Sequence, residues 1–223
     1  MISPAHIKAD VVDIRLPSPA IPADLVVDAN VLYWVFYPNF VGLRLAGGQS
    51  PRQLSRYDRY WKLAANARAR FHAASATVAE FVKTAEHAEL EAVWLTDPSA
   101  PQPNNAQPVT RFDPRVCKFA RYHYVSLLAT IRDNVESMVA SLRKSVTLLP
   151  QLATSEAAHD QSIAEWKSSC GDLPDAMMVA SGKSRTISAF LSDDSDIATF
   201  AGITLYTANG AVVNAARTVG RLR

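Results

Sequence analysis

Short aliphatic runs, several closing on an acidic or hydroxyl residue, alternate along the chain with longer stretches of helical periodicity. The first, Leu25-Val26-Val27, ends at Asp28. Such a run is too short for a membrane span and suits a strand buried on both faces. Phe71 to Ala74, Val146 to Leu149, Thr186 to Ser192 and Ile203 to Thr207 read as further strands. Val31 to Tyr37 starts a helix, and Pro51 to Arg70 carries an apolar face through Leu54, Tyr57, Trp61, Leu63 and Ala64. Val78 to about Trp94 predicts another helix, with Ser75 or Thr77 as its cap. From Pro114 to about Lys144, Val116, Phe119, Ala120, His123, Leu127, Ile131, Val135 and Met138 recur mostly three and four apart. That periodicity predicts one long helix, with His123 at its core or boundary. Residues 155–169 are polar and read as helix or loop. Asp172 to Asp175 opens a helix reaching Gly182, and a last helix runs through Val212, Val213 and Ala216. The alternation predicts an α/β protein, a three-layer α/β/α fold with a mainly parallel central sheet.

Prolines and glycines divide the chain. Pro4, Pro17, Pro19 and Pro22 make residues 1–23 a loosely packed N-terminal leader. Residues 24–223 read as a single domain with inserted segments around 38–70 and 97–145; the proline- and asparagine-rich stretch 97–114 is a surface loop. A chain that is 48% hydrophobic is not disordered in bulk. Cys117 and Cys170 lie far apart, which excludes a zinc-finger or disulfide framework and fits a reducing compartment. No signal segment or spanning run is evident, so the expectation is a cytoplasmic protein with no membrane partner.

Net charge is only +2, but it is unevenly spread. Between Arg44 and Arg70 seven basic residues face one acid, Asp58. Arg52, Arg56, Arg59, Lys62 and Arg68 are therefore candidates for contact with a phosphate backbone. The plainer reading is a solvated helix face. Tyr57, Tyr60 and Trp61 among them could stack on unpaired bases or belong to the core.

Four carboxylates stand at comparable places. Asp28 ends the first predicted strand, Asp194 follows the strand through Leu191, and Asp175 and Glu80 lie in early helical turns. Parallel strands would bring both strand-end acids to the edge where such sheets bind ligands. Several carboxylates gathered there repel each other unless a cation neutralises them. An all-oxygen set suits Mg²⁺ or Mn²⁺, and ions about 4 Å apart can activate water and stabilise a departing oxygen. The plainer readings are turn and cap roles: Thr77 with Glu80 as a capping box, Asp172 as an N-cap, Asp196 as the cap of a short helix. Asp196 could otherwise bind metal through water. No glycine-rich phosphate loop is present; Ala180-Ser181-Gly182-Lys183-Ser184 lacks the upstream glycine.

Taken in order, Val27-Asp28-Ala29-Asn30-Val31-Leu32, Ser75 to Phe81, Asp172-Leu173-Pro174-Asp175-Ala176, Leu191 to Asp196 and Gly202 to Thr207 resemble a PIN domain. This is the fold of many metal-dependent ribonucleases, including toxins of the VapC type. The resemblance covers about residues 24–210. It implies that Asp28, Glu80, Asp175 and Asp194 are the metal-binding and catalytic acids, with Asn30, Asp172, Ser192 and Asp196 in support. It implies a Mg²⁺- or Mn²⁺-dependent endoribonuclease hydrolysing RNA phosphodiester bonds, with the toxin of a toxin–antitoxin pair as one setting. RNA, a cognate antitoxin and a homodimer are then the expected partners. The alternative is a non-catalytic PIN-like RNA-binding or scaffold protein.

Overall fold

The computed structural model describes residues 2–37, 51–97, 114–149 and 156–223. Six strands form one sheet: β1 (Asp10–Asp13), β2 (Asp24–Val27), β3 (Arg70–Ala73), β4 (Val146–Leu148), β5 (Ala189–Leu191) and β6 (Thr204–Thr207). Their order is β1-β6-β5-β2-β3-β4, and every neighbouring pair is parallel. Eight α-helices are described: α1 (Ala29–Phe36), α2 (Pro51–Asn66), α3 (Ser75–Thr96), α4 (Pro114–His123), α5 (Val125–Ser145), α6 (Glu156–Lys167), α7 (Leu173–Ser184) and α8 (Gly210–Thr218).

Alternation along the strands splits the core in two. Leu25 and Val27 join Val12, Phe71, Leu191 and Tyr206 on one face, under α1, α2, α3 and α5. Val26 joins Val11, Phe190 and Leu205 on the other, under α7 and α8. Successive residues of a strand point to opposite faces, so a doubly covered sheet needs continuous apolar runs. The three-layer α/β/α architecture follows.

The sequence-based boundaries need three corrections. Residues 1–23 are not a loose leader, because Asp10–Asp13 pairs with β6 along its whole length. Its two valines are buried, while flanking acids and prolines disguise it. Of the segments around 38–70 and 97–145, residues 38–50 and 98–113 lie outside the described residues, while α2 and α5 supply Tyr57, Tyr60, Val135, Met138 and Leu142 to the first core. The predicted long helix is two, broken at Tyr124, whose hydroxyl donates to Asp97 Oδ2 at 2.7 Å and whose ring meets Trp94 edge-on. His123, just before the break, is exposed rather than buried. The strand expected from Thr186 covers only Ala189–Leu191. Thr186 takes φ +58°, which no strand residue adopts.

The chain moves outward from β2 to β3 and β4, then returns to place β5 on the other side of β2. The connections leaving β2 and β5 therefore diverge, α1 to one face and Ile197–Ala198 to the other. Such a switch point opens a crevice at the carboxyl ends of the two strands.

Candidate active site

Asp28 sits in that crevice. It follows β2, caps α1, and is only 8% exposed. Its Oδ1 accepts from Ala29 N at 2.6 Å, and its Oδ2 accepts from Asn30 Nδ2 at 2.7 Å and Ser192 Oγ at 2.5 Å. Across the switch point, Ser192 follows β5 and is fully buried. Its oxygen also accepts from the backbone N–H of Asp194 at 2.9 Å. One hydroxyl thus ties the first acid to the loop bearing another. Asp194 Oδ1 in turn accepts from Asp196 N at 2.9 Å, folding the loop into a turn.

Asp175 reaches the site from the first turn of α7. Asp172 caps that helix, and the two acids form a reciprocal capping box, each side chain accepting from the other's backbone N–H. The cap role of Asp172 is therefore present. That of Thr77 is not: α3 starts at Ser75, its N-cap is Ala74, and no side chain caps it. Glu80 consequently lies in the second turn, too far along for a capping box, and is exposed. The 3₁₀ turn Asp196–Thr199 has Ser195 at its N-cap, so Asp196 is not its cap.

Electrostatics link these groups. Burial pushes the Asp28 carboxyl up to about 6 against its stabilising hydrogen bonds, with Glu80 and Asp194 adding repulsion. Burial pushes Asp175 up to about 8, reinforced by Asp172, Asp28 and Asp194. Glu80 is raised by desolvation, then by Asp172 and Asp194, with Lys83 opposing. Asp196 is raised by burial and by Asp194. Asp28, Glu80, Asp175 and Asp194 therefore share one electrostatic neighbourhood, and none of them forms an ion pair with a described residue.

The donor chemistry fits a hard divalent cation: all oxygen and net negative, with Lys83 near Glu80 offsetting only part of the charge. Asn30 Oδ1, beside Asp28, is also a buried acceptor without a partner. Among the described residues no group of three or more His, Cys, Asp or Glu closes on one point tightly enough to hold an ion.

Below this loop lies Tyr57, for which the sequence left base stacking and the core open; with 0% exposure it belongs to the core. Its hydroxyl lies 2.9 Å from Asp193 Oδ1, 3.0 Å from the Ser192 carbonyl and 3.1 Å from Thr207 Oγ1, and accepts from Ala208 N at 2.9 Å. Burial holds the phenol protonated far above its usual range. Asn209 completes the platform, donating from Nδ2 to the Asp193 carbonyl at 2.8 Å. A tyrosine in an amphipathic helix carries no sequence signal for such a hub. Tyr60 and Trp61 are likewise core residues.

The expected basic patch is largely committed elsewhere. Arg59 donates to the carbonyls of Ile14 and Leu16, clasping the end of β1. Lys62 pairs with Asp58 at 2.6 Å. Arg68 precedes β3 and so lies at the amino end of the sheet, away from the acids. Arg56, one residue before Tyr57 on α2, is half-buried. The side chain of Arg52, and Arg44 altogether, lie outside the described residues.

The chain matches no protein-family model and no curated protein. Among the described residues no helix is long and apolar enough to cross a membrane.

Proposed function

We propose that this protein is a PIN-like, Mg²⁺- or Mn²⁺-dependent endoribonuclease. What supports the reading is the mutual repulsion felt by Asp28, Glu80, Asp175 and Asp194, which come from four separate elements and form no ion pair with a described residue. When bound, a divalent ion would supply the positive charge that lowers the pKa of water and polarises a phosphodiester. The protein's own part is to place the acids. Three donors fix the Asp28 carboxylate, Ser192 fixes the Asp194 loop to it, and the capping box fixes Asp175. Glu80, exposed and of raised proton affinity, would take the proton released as water attacks phosphorus. RNA would approach over the amino-terminal half of α2, which carries Arg52 and Arg56.

The test is cleavage of RNA by the purified chain in Mn²⁺ and in chelator, with Asp28→Asn and Asp194→Asn alongside. Metal-dependent cleavage, lost in both variants with their folds intact, is the expected result. Cleavage by Asp28→Asn would sink the mechanism. Uncleaved but retained RNA would favour the alternative, a non-catalytic PIN-like RNA-binding or scaffold protein. In a toxin–antitoxin setting, expression would arrest growth and a co-encoded antitoxin would relieve it. Sedimentation of the purified chain tests the homodimer.

A further inference from the structure

A second polar cavity, of about 370 Å³, opens at the other end of α7. It is lined by Asp24 and Arg70 at the amino ends of β2 and β3, His72 and Thr147 from the middle of β3 and β4, Leu148, and the Arg185-Thr186 turn. Asp24 and Asp28 are four residues apart on one strand, about 13 Å. This cavity is therefore separate from the acidic crevice.

Its charges are unequally satisfied. Asp24 accepts from Arg70 at 2.5 Å and pairs with His72 Nε2 at 2.8 Å, so its carboxylate is already engaged by two partners. Arg185 makes no ion pair with any described residue. Among the described residues that line it, two guanidiniums stand against one engaged carboxylate, an excess of one positive charge. Arg185 also stands at the C-cap of α7, where its charge offsets the negative end of the helix dipole. Leu148, 39% exposed, and Ile187 supply an apolar wall.

The turn itself is costly. Thr186 N donates to the Lys183 carbonyl and Ile187 N to the Gly182 carbonyl, the two bonds of a glycine-type helix terminus. Yet the position with φ +58° is threonine, a β-branched residue that rarely adopts this backbone. Strain of this kind persists where the side chain or its placement has a use, and here the side chain lines the cavity. The volume lies in the lower part of the range for small-molecule sites. Arginine forks suit phosphate oxygens, and the Thr147 hydroxyl adds a neutral donor, while the Thr186 hydroxyl donates to the Arg185 carbonyl at 2.6 Å and holds the turn.

We propose that the Arg70–Thr147–Arg185–Thr186 cavity binds a small phosphate monoester with an apolar ring, its phosphate on Arg185 and its ring against Leu148 and Ile187. This site does not depend on the nuclease reading. The test is calorimetric titration of the full chain with adenosine monophosphate, inorganic phosphate and adenosine. Chelator is present throughout, so that no divalent ion can bridge phosphate to the acidic crevice. Adenosine monophosphate should bind more tightly than inorganic phosphate, and adenosine should not bind. Arg185→Glu, at an exposed position, should weaken binding at least about tenfold while leaving RNA cleavage unchanged. Thr186→Gly should relieve the backbone, leave thermal stability no lower, and weaken binding. No binding of either phosphate compound, or binding unaltered in Arg185→Glu, overturns the proposal. Tight binding of adenosine alone would overturn the assignment of phosphate to Arg185.

Discussion

Ser192 Oγ stands 2.5 Å from Asp28 Oδ2, although 164 residues separate them. The bond crosses from β2 to β5 and is made inside the protein, where neither partner can exchange it freely for water. Its effect on the carboxylate opposes burial: the hydroxyl lowers the Asp28 pKa, and desolvation raises it to about 6.

Replacing that hydroxyl therefore has a signed consequence. Ser192→Ala removes a donor to Asp28 and leaves Asp194 N without its side-chain acceptor. The expected cost is about 1–3 kcal/mol of stability. The Asp28 carboxyl should titrate higher still, which carboxyl-carbon NMR can follow. On the nuclease reading, the acidic limb of the pH–rate profile moves up with it. An unmoved Asp28 titration would show that the bond contributes nothing in solution.

The acidic cluster should make stability depend on pH when no metal is present. Asp175, raised from 3.8 to about 8, and Asp28, raised to about 6, bind protons more tightly folded than unfolded. Their contribution is fully present below the unfolded pKa and is lost as pH rises through the folded values. Thermal stability in chelator should fall between about pH 4 and pH 8, each kcal/mol corresponding to about 2–4 °C for a chain of this size. Asp175→Asn should flatten the upper part of that fall. Mn²⁺ should restore stability at pH 8 if the cluster binds it, by mass action on the folded state. A flat profile in chelator would mean that neither burial nor mutual repulsion raises these carboxyls in solution.

Tyr57→Phe isolates the hub beneath the loop. The ring stays, so core packing is kept, but Ala208 N loses its acceptor and Asp193 Oδ1 loses a donor. About 2–3 kcal/mol of stability should be lost, because buried groups are left unsatisfied. RNA affinity should change little, since a fully buried ring cannot stack on a base. A large fall in affinity with unchanged melting temperature would favour the base-stacking alternative for Tyr57.

Central strands were legible from sequence because a parallel sheet covered on both sides demands unbroken aliphatic runs, as in Leu25-Val26-Val27. The edge strand Asp10–Asp13 was hidden because only Val11 and Val12 mark it between acids. The acids at strand ends were legible for the same reason as the strands: Asp28 and Asp194 come directly after β2 and close after β5. Ser192 was legible as a supporting residue through the family resemblance, but the platform beneath it was not. Tyr57 and Asn209 reach the loop through tertiary contact between distant segments, and no periodicity encodes which hydroxyl faces which loop. The basic residues misled for a related reason. A charge count does not show that Arg59 clasps β1 or that Lys62 is paired with Asp58.

The last prediction concerns how α7 is held against the sheet. A Cβ built on Gly182 would lie 2.6 Å from Phe190 Cζ and 3.0 Å from Val26 Cγ2, both on the central strands. Neither neighbour is the end of a flexible chain, and Phe190 and Val26 are fully buried. Gly182→Ala must therefore push α7 outward or force a ring off its rotamer, at about 1–3 kcal/mol. The better helix propensity of alanine recovers up to about 1 kcal/mol, so the net melting temperature should still fall. Phe190→Leu alone should also destabilise by opening space. Combined with Gly182→Ala it should cost less than the sum, because the added methyl occupies part of what the ring vacates. α7 carries Asp175 at its amino end and Arg185 at its carboxyl end. The single Gly182→Ala variant should thus disturb both the acidic crevice and the second cavity, and the double variant should restore both together. Strict additivity in the double-mutant cycle would show that the contact between Gly182 and Phe190 does not set the position of this helix.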